Sequence, residues 1–440
     1  MRRGFFFIVP ILLAMMAGAA ATASDQVQPA RTCGGESCEA VFRGFFAFFD
    51  RSLHGLDGNG RACADCHMPS DQFQLSPAGA ESRFQLLQKR RRWNPYADDP
   101  LFRPVDADDF RVNGTSARDF RNLRENGLVR VEFTLPPNMR LVDPVTNAPS
   151  AESTVDIWRA VPTVNDVKLT GPDGMNPWAR DPNRSGGYQL DGRFTDLQQQ
   201  ALGALLSHAQ VQAPPPQRML DDLAAFQRTL FTNHRVRALS DAVAAGTAPL
   251  PDPDPPLSAL EQAGKVVFAR ACGQCHGGPG QSTTQAPVVR YHDIVTQCPR
   301  PVDTVSPARF NFQPCPERLA RNARTYEITL PNGTTTRRVS SDPGRALLTG
   351  FVGGPPPLDD WNKLDVNGLR GIRHTAPYFH NNSAATLEEV VFHYVEFYKL
   401  VRARAAPGVV PPVASTDGIN FDRQPRPEEI ESLLAYLRKL

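Results

Sequence analysis

The pentapeptide CADCH, residues 63–67, and a second one, CGQCH, residues 272–276, decide how this chain is read. Both match C-x-x-C-H, the attachment signature of c-type haem. The spacing follows from chemistry. Two thiols form thioethers with the haem vinyl groups, and the adjoining histidine is carried beneath the iron as proximal ligand. Cys63, Cys66 and His67 make one such set; Cys272, Cys275 and His276 make the other. Zinc would need further Cys or His ligands at matching spacing. Two pentapeptides, about 200 residues apart, imply two covalently bound haem c groups.

Working outward, each motif has an apolar, helix-like stretch before it. Residues Glu39 to Phe49 contain VFRGFFAFF, and Leu257 to Arg270 set Leu260, Ala263, Val267 and Phe268 on one helical face. A chain of 440 residues exceeds one ordinary core. Between the two units lies TAPLPDPDPPL, residues 247–257, which cannot be helical and reads as a semi-rigid linker. The expected fold is mainly α, with two cytochrome c-like haem domains over 24–246 and 258–440. The 41 prolines predict long irregular loops around the helices. Residues 69–155 carry a basic helix-like run (Phe84 to Trp93) and the strand-like VRVEFTL, 129–135. They read as an insertion in the first domain, packed as structure or else covering the haem or a partner surface.

The N-terminus, MRRGFFFIVPILLAMMAGAAATA, has the pattern of a secretory signal over residues 1–23, with an apolar run too short to span a membrane. The expected mature protein begins near Ser24, is periplasmic and has no later span. A net charge of +2 argues against nucleic acid or a membrane surface as the main partner. Export permits disulfides. Of the eight cysteines, Cys33, Cys38, Cys298 and Cys315 remain outside the motifs, and the simplest pairing is local, with other connectivities open.

Possible axial ligands are few. Histidines occur at 54, 67, 208, 234, 276, 292, 374, 380 and 393, and the last methionine is Met219. The second haem therefore cannot take a methionine from its own domain, which leaves His, Tyr, Lys or nothing as its sixth ligand.

Residues 370–394, RGIRHTAPYFHNNSAATLEEVVFHY, resemble the C-terminal signature of bacterial di-haem cytochrome c peroxidases and the related enzyme MauG. Val161 onward (VPTVND) and YQLDGRFTDLQQQA, residues 188–201, resemble a second segment of that family. The similarity covers most of the chain after the signal segment except 69–155 and 281–345. It implies hydrogen peroxide as substrate, high-valent iron formed at the first haem, and a second haem relaying electrons. The donor would be a small periplasmic cytochrome c or cupredoxin, or a partner protein would be oxidised, as MauG does. Regulated peroxidases carry a removable histidine soon after the first motif. None stands between His67 and His208, which resembles the open, MauG-like arrangement.

Three positions depart from the family. Its distal glutamine matches Gln200, but its catalytic glutamate falls on Gln210, which cannot take a proton; His208 is the candidate substitute. The tryptophan between the haems falls on Leu190, with Tyr188 or Trp178 as substitutes. The family's calcium ligands match at Thr375 and Pro377, while the asparagine slot holds Ala160. Finally, the second haem's axial ligand, Met in peroxidases and Tyr in MauG, falls fourteen residues after His380, on Tyr394. Leu387, Val390, Val391 and Tyr394 share a helical face; His393 is the alternative through a one-residue slip. Two other functions stay open: a di-haem electron carrier without catalysis, and a rubber-oxygenase-like dioxygenase.

Overall fold

The computed structural model describes residues 32–107, 111–112, 115–116, 119–171, 187–273, 275–281, 291–298, 315, 317–354, 359–404 and 426–440. The expected signal segment and Trp178 lie outside the described residues. The fold is mainly α, with long irregular connections and small sheets.

Helices α1 (Cys38–Phe49), α2 (Pro77–Arg91), α3 (Leu197–Ser207) and α4 (Gln217–Gln227) belong to the N-terminal half. Helices α5 (Ala259–Ala271), α6 (Leu387–Arg404) and α7 (Pro427–Leu437) belong to the C-terminal half. Local chemistry sets their starts. Ser258 and Glu261 exchange side-chain bonds with each other's backbone N–H to open α5, and Asp196 accepts from Gln199 N at α3. Pro77 stands at the first position of α2, behind the capping Ser76. The expected helices before both motifs are present, although Leu260 faces outward, 45% exposed.

One helix crossing occurs twice. On α1, Gly44 lies against the Asp222 carbonyl of α4, and a Cβ there would stand 2.8 Å from Phe226 Cβ. On α5, Gly264 lies against the Ser432 carbonyl of α7, and a Cβ would stand 2.9 Å from Tyr436 Cβ. One turn on, Phe48 meets Phe226 and Phe268 meets Tyr436 edge to face, at 5.3 and 5.5 Å between ring centres. Arg43 adds a paired bond to Asp222 in the first crossing only.

The inserted segment builds its own core of Leu75, Ala80, Leu87, Leu101, Phe102, Phe120 and Leu123. Strands β1 (Leu128–Thr134) and β3 (Thr154–Ala160) pair antiparallel, with Val131 opposite Ile157. Strand β2 (Met139–Leu141) joins a hairpin of the C-terminal half, β4 (Arg324–Thr329) and β5 (Thr335–Ser340), in the order β5–β4–β2. Their shared core includes Met139, Leu141, Ile157, Tyr326 and Ile328, each at most 6% exposed. The proline-rich stretch 247–257 is anchored rather than loose. Its Asp254 pairs with Lys265 and Arg370 and accepts from the Tyr436 hydroxyl. Cys33 pairs with Cys38 and Cys298 with Cys315, as the local reading expected.

Both glycine crossings admit no side chain without moving backbone. Gly264→Ala is expected to lower unfolding free energy by about 2–3 kcal/mol, measured by denaturant titration, with Gly44→Ala similar. Alanine's better helix propensity would otherwise stabilise an open site by up to about 1 kcal/mol, so an unchanged or raised midpoint would refute the tight crossing.

Candidate haem site

Both pentapeptides open onto one cavity of about 1000 Å³, at the upper end of small-molecule sites. Cys63, Cys66, His67, Cys272, Cys275 and His276 all line it. The two histidines are held alike: His67 Nδ1 donates to Phe73 O at 3.0 Å, and His276 Nδ1 to Gln281 O at 3.0 Å. This bond fixes the tautomer and leaves Nε2 as the nitrogen for a metal. Burial pushes the His67 pKa down, against the raising effect of the Phe73 carbonyl, which favours the neutral ring. Burial pushes the thiols of Cys63, Cys66 and Cys272 up to about 12. Among the described residues no group of three or more His, Cys, Asp or Glu forms a metal site. The cavity and its two matched thiol–imidazole sets fit two haem c groups.

Each half lays one more helix along the cavity, and the two enter it alike. Tyr188 pairs across a tight turn with Phe194, and Tyr378 pairs with Ala384. Gln189 and Phe379 take φ of 74° and 72°, and Gly192 and Asn382 take 66° and 53°. Asp196 then caps α3, as Thr386 does α6 by accepting from Glu389 N. In this register Leu197 matches Leu387, Gln200 matches Val390, Ala204 matches Tyr394, and His208 matches Tyr398. All but the two leucines are residues of different character, and of the pairs only Leu387 does not line the cavity.

Tyr394 faces the cavity among Val390, Val391 and Tyr398. Burial drives its phenol far above the ordinary value, with Cys275 and Cys272 as the next influences, which sets it beside the second motif. His393 is 4% exposed, with Nε2 2.7 Å from Ile294 O and its ring 4.8 Å from that of Phe379. The one-residue difference along α6 thus sends the two rings to different places. Tyr398 donates to Ala271 O at 2.8 Å.

In the first half Gln200 and His208 line the cavity; Gln210 lies at its exposed edge, where it accepts from Asn59 Nδ2 at 3.2 Å. His208 Nδ1 is 2.8 Å from Asp106 Oδ1, and Arg61 Nη1 is 2.9 Å from Asp106 Oδ2. Neither Asp106 nor Arg61 is marked by sequence pattern; only the tertiary fold of 69–155 brings Asp106 to α3.

Thr375 and Pro377 line the cavity too. A calcium ion would have the carbonyls of Thr375 and Pro377 but no side-chain oxygen from Ala160 at the asparagine slot. The Ala160 N–H donates to His380 O, while Gln74 Nε2 donates to Ala376 O. The neighbouring Arg159 is already cationic. Buried at 4%, it bonds Asp342 at 2.7 and 2.9 Å and also pairs with Asp191. Burial opposes ionisation of both carboxyls, but the Arg159 charge holds them below the ordinary range.

Solved structures similar to this chain include a MauG-like protein associated with microbial copper homeostasis, at 18% identity over 96% of this chain and 95% of that one, with a TM-score of 0.42. The diheme peroxidase BthA from Burkholderia thailandensis E264 gives 16% identity over 92% and 86%, TM-score 0.41. Kuenenia stuttgartiensis hydrazine synthase gives 14% over 98% and 99%, TM-score 0.37. No protein-family model and no curated protein matches the sequence.

A buried carboxyl in the same cavity yields a pH prediction. Burial raises Asp166 to about 6, although the Thr232 hydroxyl, the Thr232 N–H at 2.9 Å and Arg370 act to lower it. The folded state thus holds a proton that the unfolded chain releases near pH 4. Stability from this group is full below pH 4 and is lost as pH rises through about 6. Asp166→Asn should remove on the order of 2 kcal/mol of that decline, read as the difference in urea midpoints between pH 4 and 7. Identical pH slopes in variant and wild type would refute it.

Proposed function

We propose that this protein is an exported di-haem c peroxidase or oxidase of the cytochrome c peroxidase and MauG type, with catalysis at the first motif. The observation that carries the reading is the register between α3 and α6. It sets Ala204 in the first half where the second half has Tyr394, so one site has a phenol and its counterpart a methyl group.

Cys63, Cys66 and His67 would hold the first haem, and Cys272, Cys275 and His276 the second, with Tyr394 as the second haem's further ligand. Haem in the first site would supply an iron able to take up peroxide, and Ala204 offers it no side-chain ligand where the other half has Tyr394. Gln200 can donate an amide hydrogen bond to the incoming oxygen. His208 can take the peroxide proton at Nε2, a role closed to Gln210. Tyr188, buried and lining the cavity, would be the oxidisable side chain near Leu190, the slot of the family's inter-haem tryptophan. The buried Arg159 pairs join β3 to loops of both halves and hold the cavity walls.

The signal pattern of residues 1–23 supports a periplasmic location, and among the described residues no helix is long and apolar enough to cross a membrane. A small cytochrome c or cupredoxin, or a partner protein to be oxidised, completes the reaction. A plain electron carrier would need both irons six-coordinate.

The ferric holoprotein is expected to show one high-spin signal that shifts on adding one equivalent of peroxide. Two purely low-spin haems, inert to peroxide, would leave only the carrier. Ala204→Tyr should remove the high-spin signal and slow the peroxide reaction at least 100-fold, within the range that a positioned group contributes. Tyr394→Phe should alter the low-spin spectrum, whereas His393→Gln should not; the opposite pattern would move the ligand to His393.

A further inference from the structure

We infer that Asp106, supplied by the inserted segment, is a positioning residue that fixes His208 as a proton acceptor facing the first haem site. The inference rests on the proposed open site at the first pentapeptide.

Three contacts hold His208. Its carbonyl accepts from Arg61 Nη1 at 2.8 Å and from Asn59 Nδ2 at 2.9 Å, and its Nδ1 meets Asp106 Oδ1 at 2.8 Å. Asp106 is itself locked. It is 3% exposed, its Oδ2 accepts from Arg61 Nη1 at 2.9 Å, and its carbonyl accepts from Arg130 N at 2.8 Å on β1. Arg61, 2% exposed, is fixed in turn by the carbonyls of Pro100 and Arg103, each at 3.0 Å. A carboxylate only accepts hydrogen bonds, so Nδ1 of His208 carries the ring proton and Nε2 keeps its lone pair. Since the ring lines the cavity, Nε2 is the nitrogen left for an acid entering it.

Among the described residues the arrangement is not repeated at the matching position of the other half. The matching residue, Tyr398, donates its hydroxyl to Ala271 O, the last residue of α5. At this register position the proton acceptor is thus found at the first site, where the inserted segment holds it. The step is simple: a weak acid H–X loses its proton to His208 Nε2, the H–X bond breaks as N–H forms, and the anion is left for the open site. Asp106 stays ionised beside the imidazolium, as the buried aspartate of a Ser-His-Asp triad does.

Cyanide tests this apart from peroxide chemistry, because hydrogen cyanide must give up its proton to bind ferric haem. In the holoprotein, Asp106→Asn is expected to slow cyanide association about 10- to 100-fold, as His208→Ala does, and the double variant should be no slower than His208→Ala alone. Asp106→Asn within twofold of wild type, or effects that multiply in the double variant, would overturn the inference, as would wild-type rates in His208→Ala. Should removal of the carboxylate beside Arg61 prevent folding, the wild-type protein still decides. In its reduced, CO-bound, diamagnetic form, ¹⁵N-histidine NMR should show His208 protonated at Nδ1, and protonation at Nε2 would overturn the inference. A holoprotein that binds cyanide in this way yet ignores peroxide would instead overturn the proposed function and leave the role of Asp106 standing.

Discussion

One glycine contact organises each half of this molecule. At Gly44 and at Gly264 one helix rests on the backbone of another, so the helix that leads to each pentapeptide has no freedom to slide or rotate. Edge-to-face rings one turn further on lock the same crossings. Everything chemical follows from that placement. At the second site the thiols and the imidazole come directly off the end of that helix, whereas residues 50–62 lie between α1 and Cys63. In both, a carbonyl six or five residues after the histidine (Phe73 or Gln281) sets the imidazole tautomer. A crossing with even a methyl group at the contact would push the leading helix away and carry the pentapeptide with it.

Much of this was legible in the sequence, and the limits are physical. The pentapeptides carry covalent chemistry in their spacing, so they could be read without any fold. The helices before them, the strand at 129–135 and both local disulfides were legible because each depends on near neighbours. The deeper repeat was not. Between YQLDGRFTDL and YFHNNSAATL only the tyrosine and the leucine are shared, because what repeats is backbone: a positive φ after the tyrosine, another three residues later, and a capping oxygen. Several residue types satisfy each of those requirements, so identity is lost while geometry is kept. The contrast of His393 with Tyr394 was read from the resemblance's fourteen-residue spacing, with the helical angle in agreement, and the structure sends the two rings to different surroundings.

The inserted segment was the least legible part. Nothing separates Asp106 from the other acidic residues of DADDF except its position in space. Its role appears only when Arg61, two residues before the first thiol, is seen bound at once to Asp106, to loop carbonyls and to the backbone of His208. A buried guanidinium loses favourable hydration and is tolerated only when its donors are met. Meeting them here draws three distant stretches of chain into one arrangement.

The sheet in which β2 joins β4 and β5 has a consequence of another kind. It takes one strand from the insertion in the first half and two from the second, in a fixed antiparallel register over a shared core. Asn122 and Asn322, and Asn382 with the Asn126 carbonyl, stitch the same boundary. Electron tunnelling between two redox groups falls steeply as their separation grows, so a hinge between the halves would act as a throttle on current. A chain woven across that boundary has given the hinge up. With haem in both proposed sites, the pace of exchange between them would be set by their potentials and by the side chains between them, at a constant separation.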